Sequence, residues 1–344
     1  MDKSLSLSIV IPVYNSEQSL PILAKKLQEV VPQLADNFEV ILVNDSSRDN
    51  SWQVIEKLSA QYDWLHGICL MRNYGQHNAI LCGIREAKNE IIVTMDDDLQ
   101  HPPEEIKKLL EKINEGYDVV YGTPEKENHG ILRDLASQIT KIVLQSGMGA
   151  ENARRVSAFR VFRGYLRDAF ADYSGSFVSI DVLLTWGTTK FTWIPILHLP
   201  RTIGQSNYTI TKLITHALNM VTGFSNLPLQ ISSIIGFIFT ILGFFILLYV
   251  VGRVIIQGSA VPGFPFLAAT IAIFSGAQLF SLGIIGEYLA RIHSQSMNRP
   301  SYKVLNVFQN KTEKKITGIK VMLYIISEKS YAFMQNHQAQ INIA

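Results

Sequence analysis

Residues 90–116 read EIIVTMDDDLQHPPEEIKKLLEKINEG. A continuous apolar run, EIIVTMD (90–96), ends in three aspartates. A helix opened by Pro and Glu then follows over 102–116, closed by Gly116. An apolar run of this length without alternation predicts a strand buried on both faces. The same unit recurs toward the N-terminus. LSIVIPV (7–13), FEVILVN (38–44) and LHGICLM (65–71) read as strands, and YDVVYG (117–122) as one more. Between them, 19–31, 49–60 and 77–88 carry helical periodicity, with Pro21 in a first turn. Strand–helix alternation with such strands predicts an α/β fold, a doubly wound, mostly parallel sheet.

Charge divides the chain. Residues 228–286 contain a single charged side chain, Arg253. Lys and Arg are outnumbered over 1–227, net −4, and in excess over 287–344, net +5. Two charge-free stretches, placed near 231–252 and 265–286, are each long enough to cross a bilayer, about 20 apolar residues being needed. Gly258, Pro262, Gly263 and Pro265 supply turn chemistry between them. Arg253 stands alone on one side. Arg201 and Lys212, then Arg291, Arg299 and Lys303, flank the other, so Lys/Arg bias puts both termini in the cytoplasm, with a bacterial inner membrane favoured. Two cysteines, Cys69 and Cys82, suit a reducing compartment and exclude a disulfide scaffold. The N-terminal apolar run is too short and too interrupted for a secretion signal. Net charge +2 gives no reason to expect a nucleic-acid partner. The organisation expected is a cytoplasmic catalytic domain (1–209), an interfacial amphipathic helix (210–227), a transmembrane hairpin (228–290) and a basic cytoplasmic tail (291–344). A further amphipathic helix is expected over 131–148.

Ligands of open parallel sheets bind at the carboxyl ends of the strands. Polar residues gather there: Pro12, Tyr14, Asn15 and Glu17; Asn44, Asp45, Ser46, Ser47 and Asp49; Arg72, Asn73 and Gln76; Asp96, Asp97 and Asp98. Successive strand residues point to opposite faces, so Asp96 and Asp98 are expected to project together and Asp97 to point away. Two carboxylates at one spot repel, and Mg²⁺ or Mn²⁺ relieves that while substrate phosphates complete its shell. A DxD motif alone is equally a solvated acidic turn; the other strand ends decide for a metal–diphosphate site. Neither GxGxxG after the first strand nor GxxxxGK[ST] occurs, so dinucleotide and P-loop chemistry are excluded. Arg160 and Arg163 in SAFRVFRG, and Arg201, Ser206 and Tyr208 in RTIGQSNY, form a second cluster suited to phosphate. The competing reading is a surface arginine or a structural ion pair.

IVIPVYNSE (9–17), VNDSSRDNS (43–51), RNYGQHNAI (72–80) and MDDDLQHPPEEI (95–106), in this order, resemble an inverting family 2 glycosyltransferase of type A fold. RTIGQSNY followed by two spans ending GIIGEYLARI (283–292) is similar to its polyprenyl-phosphate branch. That branch includes bactoprenol glucosyltransferases, undecaprenyl-phosphate aminoarabinose transferases and dolichol-phosphate mannose synthases. The resemblance implies transfer of one sugar, glucose from UDP-glucose being the first expectation, to a polyprenyl phosphate. GDP-mannose or a UDP-aminoarabinose derivative is the alternative donor. It implies that Pro12, Tyr14, Glu17 and Asp45, with Arg72, hold the nucleotide, and that Asp96 and Asp98 handle metal and diphosphate. Arg160 and Arg201 would act in catalysis, and Arg163, Arg201, Ser206, Tyr208 and Lys212 at the acceptor phosphate. Contact with membrane lipids and assembly as homo-oligomers, often tetramers, are also implied. Relatives often carry an acid just before FR and a lysine where Asn207 stands; this chain has neither. A lipid phosphate is already anionic and needs no general base. Two spans, and no QxxRW, disfavour a processive polysaccharide synthase. A non-catalytic nucleotide-sugar-binding membrane scaffold is the different-class alternative, and the retained aspartates argue against it.

Overall fold

A computed structural model describes residues 5–124, 144–145, 148–175, 177–200, 222–225, 227–257, 263–297 and 299–309. The helices expected over 131–148 and 210–226 fall almost wholly outside these residues.

The chain opens with β1 (Ser6–Val13), α1 (Leu20–Val30), β2 (Asn37–Asn44), α2 (Ser51–Gln61), β3 (Leu65–Leu70), α3 (Gln76–Glu86), β4 (Ile91–Thr94), α4 (Ile106–Asn114) and β5 (Val119–Pro124). A short α5 (Ala150–Arg154) precedes β6 (Arg160–Arg163), α6 (Ile180–Gly187) and β7 (Phe191–Ile196). Two long helices follow, α7 (Leu227–Gln257) and α8 (Phe264–Ser296), and then β8 (Val304–Phe308). Among the described residues, all eight strands form one sheet in the order β7-β5-β6-β4-β1-β2-β3-β8. The pairs β1–β2, β1–β4, β2–β3 and β5–β7 are parallel; β6 is antiparallel to both β4 and β5, and β8 to β3.

Strand alternation divides the core between two faces. Leu7, Ile9, Ile11, Val40 and Leu42 pack with α1, α2 and α4, while Val10, Ile41 and Val43 pack with α3 and α6. On α4, Ile106, Leu109, Leu110 and Ile113 are all buried, each contributing roughly 1.5–3 kcal/mol. Gly83 brings α3 onto β1 so closely that a Cβ there would lie 2.3 Å from Val10 Cγ1.

The structure revises the expected elements at several points. The strand read over 90–96 stops at Thr94. The helix read over 102–116 begins as a 3₁₀ turn, Pro103–Glu105, and Gly116 leaves it at φ +102°. The region beyond 123, for which no strand is expected above, supplies β6 and β7. Part of the expected tail returns to the sheet, where β8 pairs with β3 and Lys303 O accepts from Met71 N at 2.9 Å.

Helices α7 and α8 run past the expected spans at both ends. Leu227–Arg253 and Ile273–His293 are apolar enough to cross a bilayer, and of their described side chains only Ser232 is buried in protein. Phe237, Phe245 and Leu279 are more than 60% exposed, as lipid-facing side chains are. The two helices contact each other, with Phe239 edge-on to Phe274 at 5.7 Å. Gly243 admits Phe274, whose ring edge would sit 3.0 Å from a Cβ there. The chain is built as a membrane protein with two candidate spans.

Candidate active site

Strand order reverses between β1 and β4: β2 and β3 follow on one side, β6 and β5 on the other. At such a switch point the loops leave in opposite directions and a crevice opens beyond the strand ends. Pro12 stands where β1 and β4 part. Val10 O still accepts from Met95 N at 3.3 Å, but β4 has ended by the next residue of the same parity, which is Pro12. Its missing N–H therefore costs no ladder bond. Its ring is buried in β1.

Four strand-end loops are stitched together by side chains bonding to backbone. From the β2 loop, Ser47 Oγ accepts from Asn15 N at 3.0 Å and Asp49 Oδ2 from Glu17 N at 3.1 Å. In return, Asn15 Oδ1 accepts from Arg48 N at 2.8 Å and Glu17 Oε2 from Asn50 N at 3.0 Å. Asp45 is buried, and its two oxygens accept from Tyr74 N at 2.7 Å and Gly75 N at 2.8 Å. Burial pushes its carboxyl up, against the lowering effect of those two amides. Gly75, at φ +95°, turns the β3 loop into that position. Gln76 Nε2 donates to Asp96 Oδ1 at 2.7 Å, joining this loop to the one after β4.

The aspartate loop is held from both sides. Asp97 Oδ2 accepts from Tyr14 N at 3.4 Å. Desolvation, opposed by Ser16 and Tyr14 and aided by Asp98, pushes Asp97 up to about 6. Asp98 Oδ1 accepts from Gln100 N at 3.1 Å. Asn15, Ser46 and Leu99, one in each of three loops, lie at φ 56°, 56° and 62°. Non-glycine residues in this region cost on the order of 1–2 kcal/mol each, and such strain concentrates at working sites.

The expected site residues do not all assemble here. Tyr14, Glu17, Asp45, Arg72, Asp96 and Asp98 do, with Pro12 as the floor. Arg72 is exposed and lies over the Tyr74 ring, 4.6 Å from its centroid. Since β4 ends at Thr94, strand alternation does not place Asp96 and Asp98; a turn through Leu99 does. Asp97 does point away from them, toward β1.

Arg160 is corrected. Its side chain is 2% exposed, ion-paired to Asp181 through Nη1, with Nε donating to Thr94 Oγ1 at 3.0 Å. Tyr121 OH donates to the same Asp181 oxygen at 3.0 Å. The guanidinium is a buried strut beneath the aspartate loop, the ion-pair alternative rather than a phosphate ligand. Arg163 is corrected too. It pairs with Ile91, at the amino end of β4, and Nη2 donates to Ile113 O at 3.1 Å. Three residues of strand, about 10 Å, separate it from the carboxyl ends. Arg201, Ser206, Tyr208 and Lys212 lie outside the described residues. The segment leading to them is fixed, however: Leu199 N donates to Gln100 O at 2.9 Å.

Sequence reasoning passed over His101, and His198 reads from sequence as a packing or surface residue. His101 is buried, stacked on Phe159 at 5.2 Å and edge-on to His198 at 5.1 Å. Burial first, then His198, lowers it to about 4, against a raising pull from Asp98. Its place three residues after Asp98 was the available signal.

Among the described residues no group of three or more His, Cys, Asp or Glu stands together as a metal cage. The carboxylates of Asp96 and Asp98 are half-buried at the crevice. That donor set fits a hard divalent cation bound by one or two carboxylates plus substrate phosphates, not an all-protein site.

Residues 8–174 match the glycosyl transferase family 2 domain. The chain is 34% identical over 307 residues to the undecaprenyl-phosphate 4-deoxy-4-formamido-L-arabinose transferase of Pectobacterium carotovorum subsp. carotovorum (strain PC1), covering 88% of this chain and 94% of the relative. This chain belongs to glycosyl transferase family 2. The enzyme of the same name from Klebsiella pneumoniae (strain 342) is 35% identical over 303 residues, 87% and 93% of the two chains. Among solved structures, glucosyl-3-phosphoglycerate synthase from Mycobacterium tuberculosis, in complex with Mn²⁺, UDP and phosphoglyceric acid, superposes with a TM-score of 0.47 at 15% identity. That match covers 63% of this chain and 76% of the other. The protein is thus a glycosyltransferase of the polyprenyl-phosphate branch, and the stitched crevice is its candidate catalytic centre.

Proposed function

We propose that this glycosyltransferase moves a single sugar from a UDP donor to undecaprenyl phosphate at the cytoplasmic face of a bacterial inner membrane. The donor sugar we favour is 4-deoxy-4-formamido-L-arabinose, ahead of the glucose expected from the residues alone. One observation carries this reading: relatives bearing that activity in their names match over 94% of their length, both long apolar helices included. Glucose has no comparable support.

In the reaction, a phosphate oxygen of the lipid attacks the anomeric carbon while the bond to the UDP β-phosphate oxygen breaks. One displacement inverts the configuration. No proton need be removed from the nucleophile, so the residues have to orient and neutralise rather than act as a base. Tyr14, Glu17 and Asp45 shape the nucleoside end of the crevice, and Arg72 stands at its exposed edge. Asp96 and Asp98 would hold Mg²⁺ or Mn²⁺, which supplies charge neutralisation for the departing diphosphate. Gln76 and Gln100 hold those two carboxylates in place. Arg201, Ser206, Tyr208 and Lys212 are proposed for the acceptor phosphate. Leu199–Gln100 pairing ties the start of that segment to the aspartate loop. The domain limits 1–209, 210–227 and 228–290, and a homo-oligomer, complete the proposal, with β8 assigned to the catalytic sheet.

The purified chain is incubated with undecaprenyl phosphate, Mg²⁺ and labelled UDP-formamidoarabinose, UDP-glucose or GDP-mannose in parallel. Label is expected in the organic extract from the first donor. Label from UDP-glucose alone would return the assignment to glucose, and none from any donor would overturn the transfer.

A further inference from the structure

A cavity of about 440 Å³ lies between the catalytic domain and the end of α8, well away from the crevice. Tyr173, Phe177, Trp186 and Phe224 supply aromatic walls, and Arg291 and Gln295 of α8 supply polar ones. The separation follows from α3. The crevice is at its first residue, Gln76, whereas Arg85 near its far end donates to Tyr173 O at 2.6 Å. Nine residues of helical rise put these two about 14 Å apart.

Its depth in the membrane is set by the two helices. Arg291 is in the last turn of the apolar stretch Ile273–His293, and Ser225 is two residues before the stretch that begins at Leu227. Tyr288 OH donates to Ser225 O at 2.5 Å, holding both at one level. Aromatic residues at span ends sit among the lipid headgroups, where a cation meets lipid phosphates. Trp186, 52% exposed and edge-on to Tyr173 at 5.6 Å, faces outward at this site. Arg291 also reaches Glu287 Oε1 at 3.4 Å, but that carboxylate is 56% exposed and the pair is weak in solvent. A volume of this size accommodates a headgroup and the first few carbons of a chain.

We propose that this cavity binds the phosphate head of an anionic membrane lipid, with Arg291 as its cationic partner and the aromatic walls around the adjoining apolar carbons. Two lipids carry that chemistry, an anionic glycerophospholipid and a polyprenyl phosphate. The site is independent of the sugar-transfer reading, since it lies outside the crevice.

The full chain carrying photoreactive p-benzoylphenylalanine in place of Trp186 is reconstituted into phosphatidylcholine vesicles. These contain minor, equal amounts of phosphatidylglycerol and undecaprenyl phosphate. After irradiation, mass spectrometry counts the adducts. Anionic lipids are expected severalfold above their mole fraction, and the dominant one identifies the source. Arg291→Ala should bring the ratio down to mole fraction and Arg291→Lys should keep most of it. Gly223→Leu, whose Cβ would meet Phe177 at 3.4 Å, should plug the cavity and remove the adducts. UDP binding at the crevice reports that each variant is folded. Adducts at mole fraction, no lipid adducts, or enrichment that survives both Arg291→Ala and Gly223→Leu would overturn the proposal.

Discussion

Asp98 and His101 show how differently neighbouring residues can be tested. Asp98→Asn keeps the side chain's size and its hydrogen bond to Gln100 N while removing a charge from the proposed cation site. Turnover is expected to fall on the order of 10²–10³-fold, the range for losing one electrostatic stabiliser. The loss should be only partly recovered by raising Mg²⁺; an unchanged rate would remove Asp98 from the metal assignment. His101 reports on stability. Its folded pKa of about 4 lies below the ordinary value of 6.5. Between those values the unfolded chain binds the extra proton, so stability is full above pH 6.5 and falls as pH drops toward 4. The slope is up to about 1.4 kcal/mol per pH unit, roughly 3 kcal/mol in total. Asp97, raised to about 6, contributes a slope of opposite sign that is common to both chains. Comparing thermal midpoints of the wild-type chain and His101→Gln from pH 7 to 4.5 isolates the histidine. The acid-induced drop should be smaller in the variant, and equal drops would contradict the buried neutral imidazole. The chemistry of single residues was only partly legible in sequence. Arg160 has the composition of a phosphate ligand and becomes a strut because Asp181, 21 positions away, reaches it inside the core. No local pattern announces such a pair, and removing either partner of a buried pair costs about 3–5 kcal/mol.

At the scale of elements, β1 to β5 and α1 to α4 were readable because each has a strong local signal, an apolar run or a helical stripe. The last three strands were not. β6 is four residues long, carries two arginines, and enters the sheet between β4 and β5, which precede it. β8 leaves three of its five residues exposed and follows two membrane helices, so it reads as linker. Pairing partners far away in sequence define both. The packing of α3 on the sheet is the sharpest element-level test. Gly83→Ala would place a methyl group 2.3 Å from Val10 Cγ1 and 3.1 Å from Val43 Cγ2, with buried strands behind them. Overpacking of this kind costs about 1–3 kcal/mol. A lowered thermal midpoint with residual UDP affinity is expected, whereas an unshifted midpoint would mean α3 sits further from β1.

The whole molecule joins an acidic α/β domain to a helix pair and returns the chain to the sheet as β8. Because β8 pairs with β3, the polypeptide on both sides of the hairpin must occupy one compartment. With Arg253 the sole charge on the far side, that compartment is predicted to be the cytoplasm. Single cysteines at Gly258 and at Ser4, in a chain with Cys69 and Cys82 replaced by serine, test this in intact cells. A membrane-impermeant maleimide should label the first and spare the second; the reverse pattern would invert the topology. The central claim, one direct displacement by a lipid phosphate, is read from the product itself. The anomeric configuration of the polyprenyl-linked sugar, measured by proton coupling in NMR, should be opposite to that of the UDP donor, and retention of the donor's configuration would contradict it.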